Sequence, residues 1–297
     1  MKIVISIFAL PYEIDDLENV LLQLRKCSYH IDKKIEYVLN VTMCTSNELI
    51  NWNKSSLPKS YFVDRLLKLS AHTDWCLKTF QTSDDIKGVV SQRRYSLEKH
   101  PDASYFIWLD TDIVFDEMTL FHFEKAINGT KKKFKYSIIV PETVRLWDDG
   151  WDCLVNENYI DKPIGYHLKN DPYKDCGIKG DVILNGVKNT VPNQPRYKFG
   201  GGWFTCISGN LLTRVGIPES FGHYGYDNIF IMFASEKLQN LGEIQIHQFK
   251  IKNLVVCENY KYRNNAHYLN NISVYDRRAE FKKIAESNFN LELEQII

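Results

Sequence analysis

An excess of charge is missing from this sequence: 37 Lys and Arg are balanced by 37 Asp and Glu. No chain-wide field draws the protein to nucleic acid, and any bound anion must be held by a local site. A C-x-x-C pair is also absent. The 7 cysteines are scattered and odd in number, which argues against a disulfide framework or structural zinc and for a reducing compartment. No apolar run approaches the ~20 residues of a membrane-crossing helix. The opening MKIVISIFALPY has too short an apolar part for a signal sequence, lacks a small-residue cleavage site and runs into Glu13, Asp15 and Asp16. It reads as a buried strand, and a cytoplasmic location is expected. Repeats and low-complexity linkers are lacking too, so one domain over residues 1–297 is the expectation. Hydrophobic residues make up 44% and charged residues 25%, a balance that folds into a sizeable core.

What is present alternates. KIVISIF is a β-branched run suited to a parallel strand covered on both faces. EIDDLENVLLQLRKC follows with helical apolar spacing at Leu17, Val20, Leu21 and Leu24 and acids in its first turn. KIEYVLNVTMC and DWCLKTFQ are predicted strands. GVVSQRRYSLEKHP reads as a helix stopped by Pro101, and SYFIWLDTDIVF as a fourth strand. Strand–helix alternation predicts an α/β fold with a doubly wound, mostly parallel sheet flanked by helices. Further on, YSIIVPE, EIQIHQF and NLVVCENY are strand-like and IFIMFASEKLQN is helical, while the stretch from Arg145 to Gly186 yields no clear elements.

Asp110-Thr111-Asp112 closes the fourth apolar run. In such sheets ligands bind beyond the carboxyl ends of the strands. On an extended backbone two carboxylates one residue apart share a side. A pair of hard oxygen donors suits Mg2+ or Mn2+ with coordination positions left for phosphate oxygens. A D-x-D by itself is a common string, so the apolar strand in front of it carries much of the signal.

A second segment adds to it. FGGGWFTCISGNLLTRVGIPESFGHYGYDNIFIMF resembles the donor and acceptor region of metal-dependent GT-A glycosyltransferases, in particular the β-1,4-galactosyltransferases and polypeptide N-acetylgalactosaminyltransferases. The matching residues are Gly200 to Gly202, Ser208, Gly216 to Pro218, and Gly222 through Asp227. The likeness is loose over residues 2–115 and more specific over 198–240. It implies a Rossmann-like GT-A sheet, with a nucleotide half at 1–116 and a donor-sugar and acceptor half at 117–297. Asp112 would ligate the cation, and Asp110 would share it or face the ribose. Gly200, Gly201 and Gly202 would admit the donor sugar, flanked by Trp203. Asp227 would be the general base for the acceptor hydroxyl, although an Asp there equally suits a helix N-cap. Tyr226 stands where that family usually has Glu, which puts the acceptor grip in question. Phe8, Ala9, Leu10 and Tyr12, with Thr111, would contact the nucleotide. Lys87, Arg93 and Arg94 are the cations on offer for the diphosphate, and Trp147 and Trp151 for stacking an acceptor. His247, Glu258 and His267 compete for a third metal ligand, and the sequence does not separate them.

The expected activity is transfer of a sugar from a UDP-, GDP- or dTDP-sugar to a hydroxyl of a glycan or glycolipid, metal-dependent and inverting. The expected partners are that donor and acceptor, without nucleic acid, and a glycolipid acceptor would bring peripheral contact with a membrane. Two rival readings fit some of the same residues. WLDTDIV fits a haloacid-dehalogenase-type phosphatase with Asp110 as nucleophile, yet that motif normally opens the chain and its sequel is missing here. A non-catalytic sugar-binding relative is the other, which Tyr226 would permit.

Overall fold

The computed structural model describes residues 1–47, 50, 57–84, 88–144, 184–186, 204–219, 231, 234, 235 and 237–258. In chain order the elements are β1 (Lys2–Ala9), α1 (Ile14–Cys27), β2 (Glu36–Cys44), α2 (Lys59–Leu69), β3 (Leu77–Ser83), α3 (Gly88–Lys99), β4 (Tyr105–Leu109), β5 (Ile113–Val114), α4 (Thr119–Thr130), β6 (Tyr136–Val144), β7 (Leu184–Gly186), β8 (Phe204–Ser208), α5 (Gly209–Val215) and β9 (Ile246–Glu258).

Side chains alternate across an extended strand, so a β-branched run feeds both faces of a sheet. In β1, Ile3, Ile5 and Ile7 point to one face, where Leu17, Leu21, Phe62, Leu66, Leu120 and Phe123 of α1, α2 and α4 cover them. Val4 points to the other, with Val90 of α3 and Leu211 and Leu212 of α5. Helices thus bury both faces, as the alternating sequence predicts.

The sheet runs β3-β2-β1-β4-β8-β6-β9-β5, with β7 also on β9. β3, β2, β1 and β4 are parallel neighbours. β8 enters antiparallel between β4 and β6, and β6 pairs with β9 in parallel. The longest registers are parallel ones, and the α/β, mostly parallel, Rossmann-like sheet expected of a GT-A fold is what forms. The order reverses between β1 and β4, and crevices open at such a switch point.

Two segments depart from the sequence reading. SYFIWLDTDIVF is not one strand: β4 ends at Leu109, Asp110 to Asp112 turn, and β5 pairs instead with the end of β9. Carboxylates cannot continue a strand whose residues are all buried, and Asp favours turns. Conversely, EIQIHQF and NLVVCENY join into the single 13-residue β9. The break between them is absorbed as a bulge, where the register jumps from Val140↔Lys250 to Glu142↔Val255. Helices α2 and α4 were not anticipated, although α4 carries a full apolar face.

Position 209 requires glycine. α5 starts hard against the end of the loop before β4, where a Cβ would run into the backbone carbonyl oxygen of Ala103. The Gly209 amide donates to the Ser104 carbonyl at 2.8 Å, which fixes the approach.

Candidate active site

β1 and β4 are in register from Ile3↔Tyr105 to Ile7↔Leu109, so the loops after them leave the same edge side by side. The first continues as a one-turn 3-10 helix, Pro11–Glu13. Proline fixes its own φ for such a turn and carries no N–H to satisfy. This brings Glu13 back over the strand end, where Oε2 accepts from the Leu10 amide at 2.8 Å and from Thr111 Oγ1 at 2.9 Å. One carboxylate oxygen therefore ties the loop after β1 to the Asp-Thr-Asp turn. Thr111 is buried beneath that contact.

Asp110 and Asp112 flank it, both partly buried. Burial is the main cause that pushes the Asp112 carboxyl up to about 7, followed by repulsion from Asp110, with Asp16 adding to it. Glu13 is pushed up to about 8, chiefly by burial, with Asp112 and Asp110 contributing. Carboxyls this close, withdrawn from water, resist ionising together.

A cation meets the cluster from α3. The Arg93 side chain is 5% exposed and its Nη2 lies 3.5 Å from Asp110 Oδ1. Its guanidinium sits 4.5 Å from the ring centre of Trp108, which is fully buried. The cation–π contact helps to fix the guanidinium beside the carboxylate. Arg94, next in sequence, turns away to pair with Glu98 at 4.0 Å on the solvent side. The helix separates two residues that the sequence offered as equivalents.

The same α3 face is polar elsewhere. Gln92 Nε2 donates to the Asn40 carbonyl at 2.8 Å, and Asn40 Nδ2 donates to Ser96 Oγ at 3.1 Å. These bonds hold α3 to β2 without a large apolar stripe and so keep Arg93 in place.

Of the other expected site residues, Phe8 and Ala9 end β1 beside the turn, and Leu10 and Tyr12 belong to the loop that Glu13 closes. β8 begins with Phe204 opposite Leu109, so the chain enters it at this same edge. Backbone register puts Glu258 opposite Ile113, one residue from Asp112. His247 pairs with Ser137, while Cys257 pairs with Val144. Those two points are seven residues apart along β6, roughly 23 Å at ~3.3 Å per residue. Lys87, Trp147, Trp151, Gly200, Gly201, Gly202, Trp203, Tyr226, Asp227 and His267 lie outside the described residues.

Glu13 and Asp16 were not anticipated as part of the site. A signal for them existed: acids directly after the first buried strand, at the edge where parallel strands end. Among the described residues, no group of three or more His, Cys, Asp or Glu is arranged to hold a metal ion. No described helix is long and apolar enough to cross a membrane.

No protein-family profile matches the chain, and no curated protein does. Solved structures resemble it at low identity. The Staphylococcus aureus TarS 1–349 chain crystallised with UDP is 12% identical, with a TM-score of 0.46 over 84% of this chain and 60% of that one. The same TarS segment with UDP-GlcNAc is 11% identical, with a TM-score of 0.47 over 100% of this chain and 71% of that one. GalNAc-T7 with UDP, GalNAc and Mn2+ is 11% identical, with a TM-score of 0.44 over 88% of this chain and 44% of that one.

Proposed function

We propose that the protein is a nucleotide-sugar-dependent glycosyltransferase. The observation that carries this reading is the Asp110-Thr111-Asp112 turn at the switch point of the sheet, pinned to the loop after β1 and faced by the buried Arg93. A nucleoside diphosphate has two parts, and this edge offers something to each. Phe8, Leu10 and Tyr12, at and after the end of β1, are proposed to contact base and ribose. Arg93 and the acidic turn take the charged side.

The donor set fits a divalent cation in kind. Asp110 and Asp112 are hard oxygen donors whose mutual repulsion a positive ion would relieve. Glu258, carried to the turn by β9, is proposed as the third donor in preference to His247. Such an ion on Asp110 and Asp112 would neutralise charge on the departing diphosphate. Arg93 contributes a fixed positive charge to the same end, already desolvated and oriented. Asp227 is proposed to accept the proton of the acceptor hydroxyl, which gives inversion at the anomeric carbon. Gly200 to Gly202, just upstream of β8, are proposed to border the donor sugar, with Trp203 beside them. Lys87 is proposed as a second cation for the diphosphate, and Trp147, Trp151 and Tyr226 as acceptor contacts. Mn2+ or Mg2+ would be the ion, and a UDP-, GDP- or dTDP-sugar the donor.

Release of nucleoside diphosphate from a panel of sugar nucleotides, with and without Mn2+, tests the reading. Asp112→Asn is expected to cut manganese-dependent release by on the order of 10^2–10^3-fold. Release that ignores both manganese and Asp112 would overturn it. Asp227→Asn tests the base separately, and an unchanged transfer rate would remove it from the mechanism.

A further inference from the structure

A cavity of about 630 Å3 opens at the sheet edge opposite the acidic turn. Strand direction fixes that location: β6 runs parallel to β4, and the cavity lies where β6 and β9 begin, at Tyr136 and Ile246. There the Ser137 amide donates to Ser208 Oγ at 3.0 Å, at the end of β8 beside the start of β4. The size is that of a small-molecule site.

Its walls have two kinds of chemistry. Phe134 and Tyr136 line it together with His247, whose ring centre is 4.1 Å from that of Phe134. Lys133 and Lys135 line it as well, and Lys131 and Lys132 extend the same basic run, all four exposed. Among the described residues no carboxylate pairs with Lys132, Lys133 or Lys135. The one acid in the wall, Glu243, is engaged by Arg214. In a chain of zero net charge, this is a local concentration of positive charge. Burial keeps the His247 imidazole below its ordinary value, so at neutral pH it serves as a flat ring and hydrogen-bonding group.

We propose that this cavity binds a sugar carrying a phosphate, with Lys133 and Lys135 holding the anion and Phe134 and His247 packing on the C–H face of the ring. A bilayer surface is flat and meets a convex basic patch, whereas this patch is concave and aromatic-walled. A bare anion would leave the aromatic walls unused. The site would take either a free sugar phosphate or one unit of a phosphate-bearing glycan.

The test is a titration of the full-length protein, isotope-labelled at histidine, read at the His247 imidazole resonance. The probes are glucose 6-phosphate, glucose and inorganic phosphate. Glucose 6-phosphate is expected to give a saturable shift, glucose none, and inorganic phosphate binding about tenfold weaker because the ring contact is missing. The double variant Lys133→Ala/Lys135→Ala, both surface positions, is expected to weaken binding by about tenfold or more. No saturable shift up to about 10 mM sugar phosphate, equal binding of inorganic phosphate, or undiminished binding by the double variant would each overturn the proposal. A phosphate-bearing oligosaccharide distinguishes the sources. Tighter binding per phosphate than the monomer identifies a chain, and equal binding identifies the free sugar phosphate. None of the probes needs a nucleotide or manganese, so this result and the transferase assay fail independently.

Discussion

The two edges of the central sheet carry opposite chemistry. At the carboxyl edge of β1 and β4, Glu13, Asp110 and Asp112 crowd together with one guanidinium against them. At the amino edge of β6 and β9, Lys133 and Lys135 line a partly aromatic cavity, and Glu243 in its wall pairs with Arg214. The contrast shows how a balanced total charge conceals two local fields. It also shows why direction matters: parallel strands send every loop that follows them to one edge and every loop that precedes them to the other.

The comparison can be broken hardest at the core beneath the acidic edge. Trp108 is fully buried and supports Arg93. Trp108→Ala is expected to cost about 3–5 kcal/mol in urea unfolding, and Arg93 should lose its platform with it. Next in size is the tie between the two loops. Glu13→Ala removes the oxygen that accepts from both Leu10 and Thr111 and should cost about 1–3 kcal/mol. Glu13→Gln can keep an oxygen in that place and should lower the melting temperature less. Equal losses would mean that the two hydrogen bonds to the Glu13 oxygen do not hold the turn.

The third prediction sets one end of β9 against the other. Glu258→Gln should raise the manganese concentration for half-maximal turnover by about tenfold or more relative to His247→Gln. The reverse order would place the proposed ion at the amino edge and erase the contrast. The smallest effect belongs to an acid outside both sites, beside the start of β2. Glu124, on the buried face of α4, accepts from Tyr37 Oη at 2.8 Å and from the Asp32 amide at 3.0 Å, and burial raises its pKa. The folded state therefore holds this proton at pH values where the unfolded chain has released it, so the contribution is full below the ordinary Glu value and declines as pH rises through the folded one. Urea midpoints of the wild type should fall relative to Glu124→Gln across that window. Parallel curves would show that the buried carboxyl is ionised throughout.

Much of the fold was legible because it rests on short-range pattern. The β1 run, the helical spacing of α1 and Pro101 after α3 identify their elements by local geometry alone. Helix α2 escaped because its exposed Tyr61 and Leu67 blur the apolar stripe. The fourth strand was drawn too long because apolar residues flank the aspartates on both sides, and only pairing partners reveal that Ile113 belongs to β9 and not to β4. Of the candidate site, the acidic pair and Arg93 were visible as residue types. That Arg94 faces away, and that Glu13 closes the site, were not.

The sequence by itself determined the α/β alternation, the two-faced core and the carboxylate pair at a strand end, since each depends on neighbours a few residues apart. Tertiary structure alone decided which cation meets Asp110, which end of β9 reaches the turn and where the lysine run lies relative to the acids. Those relations join residues far apart in the chain, and pairing register and strand direction fix them.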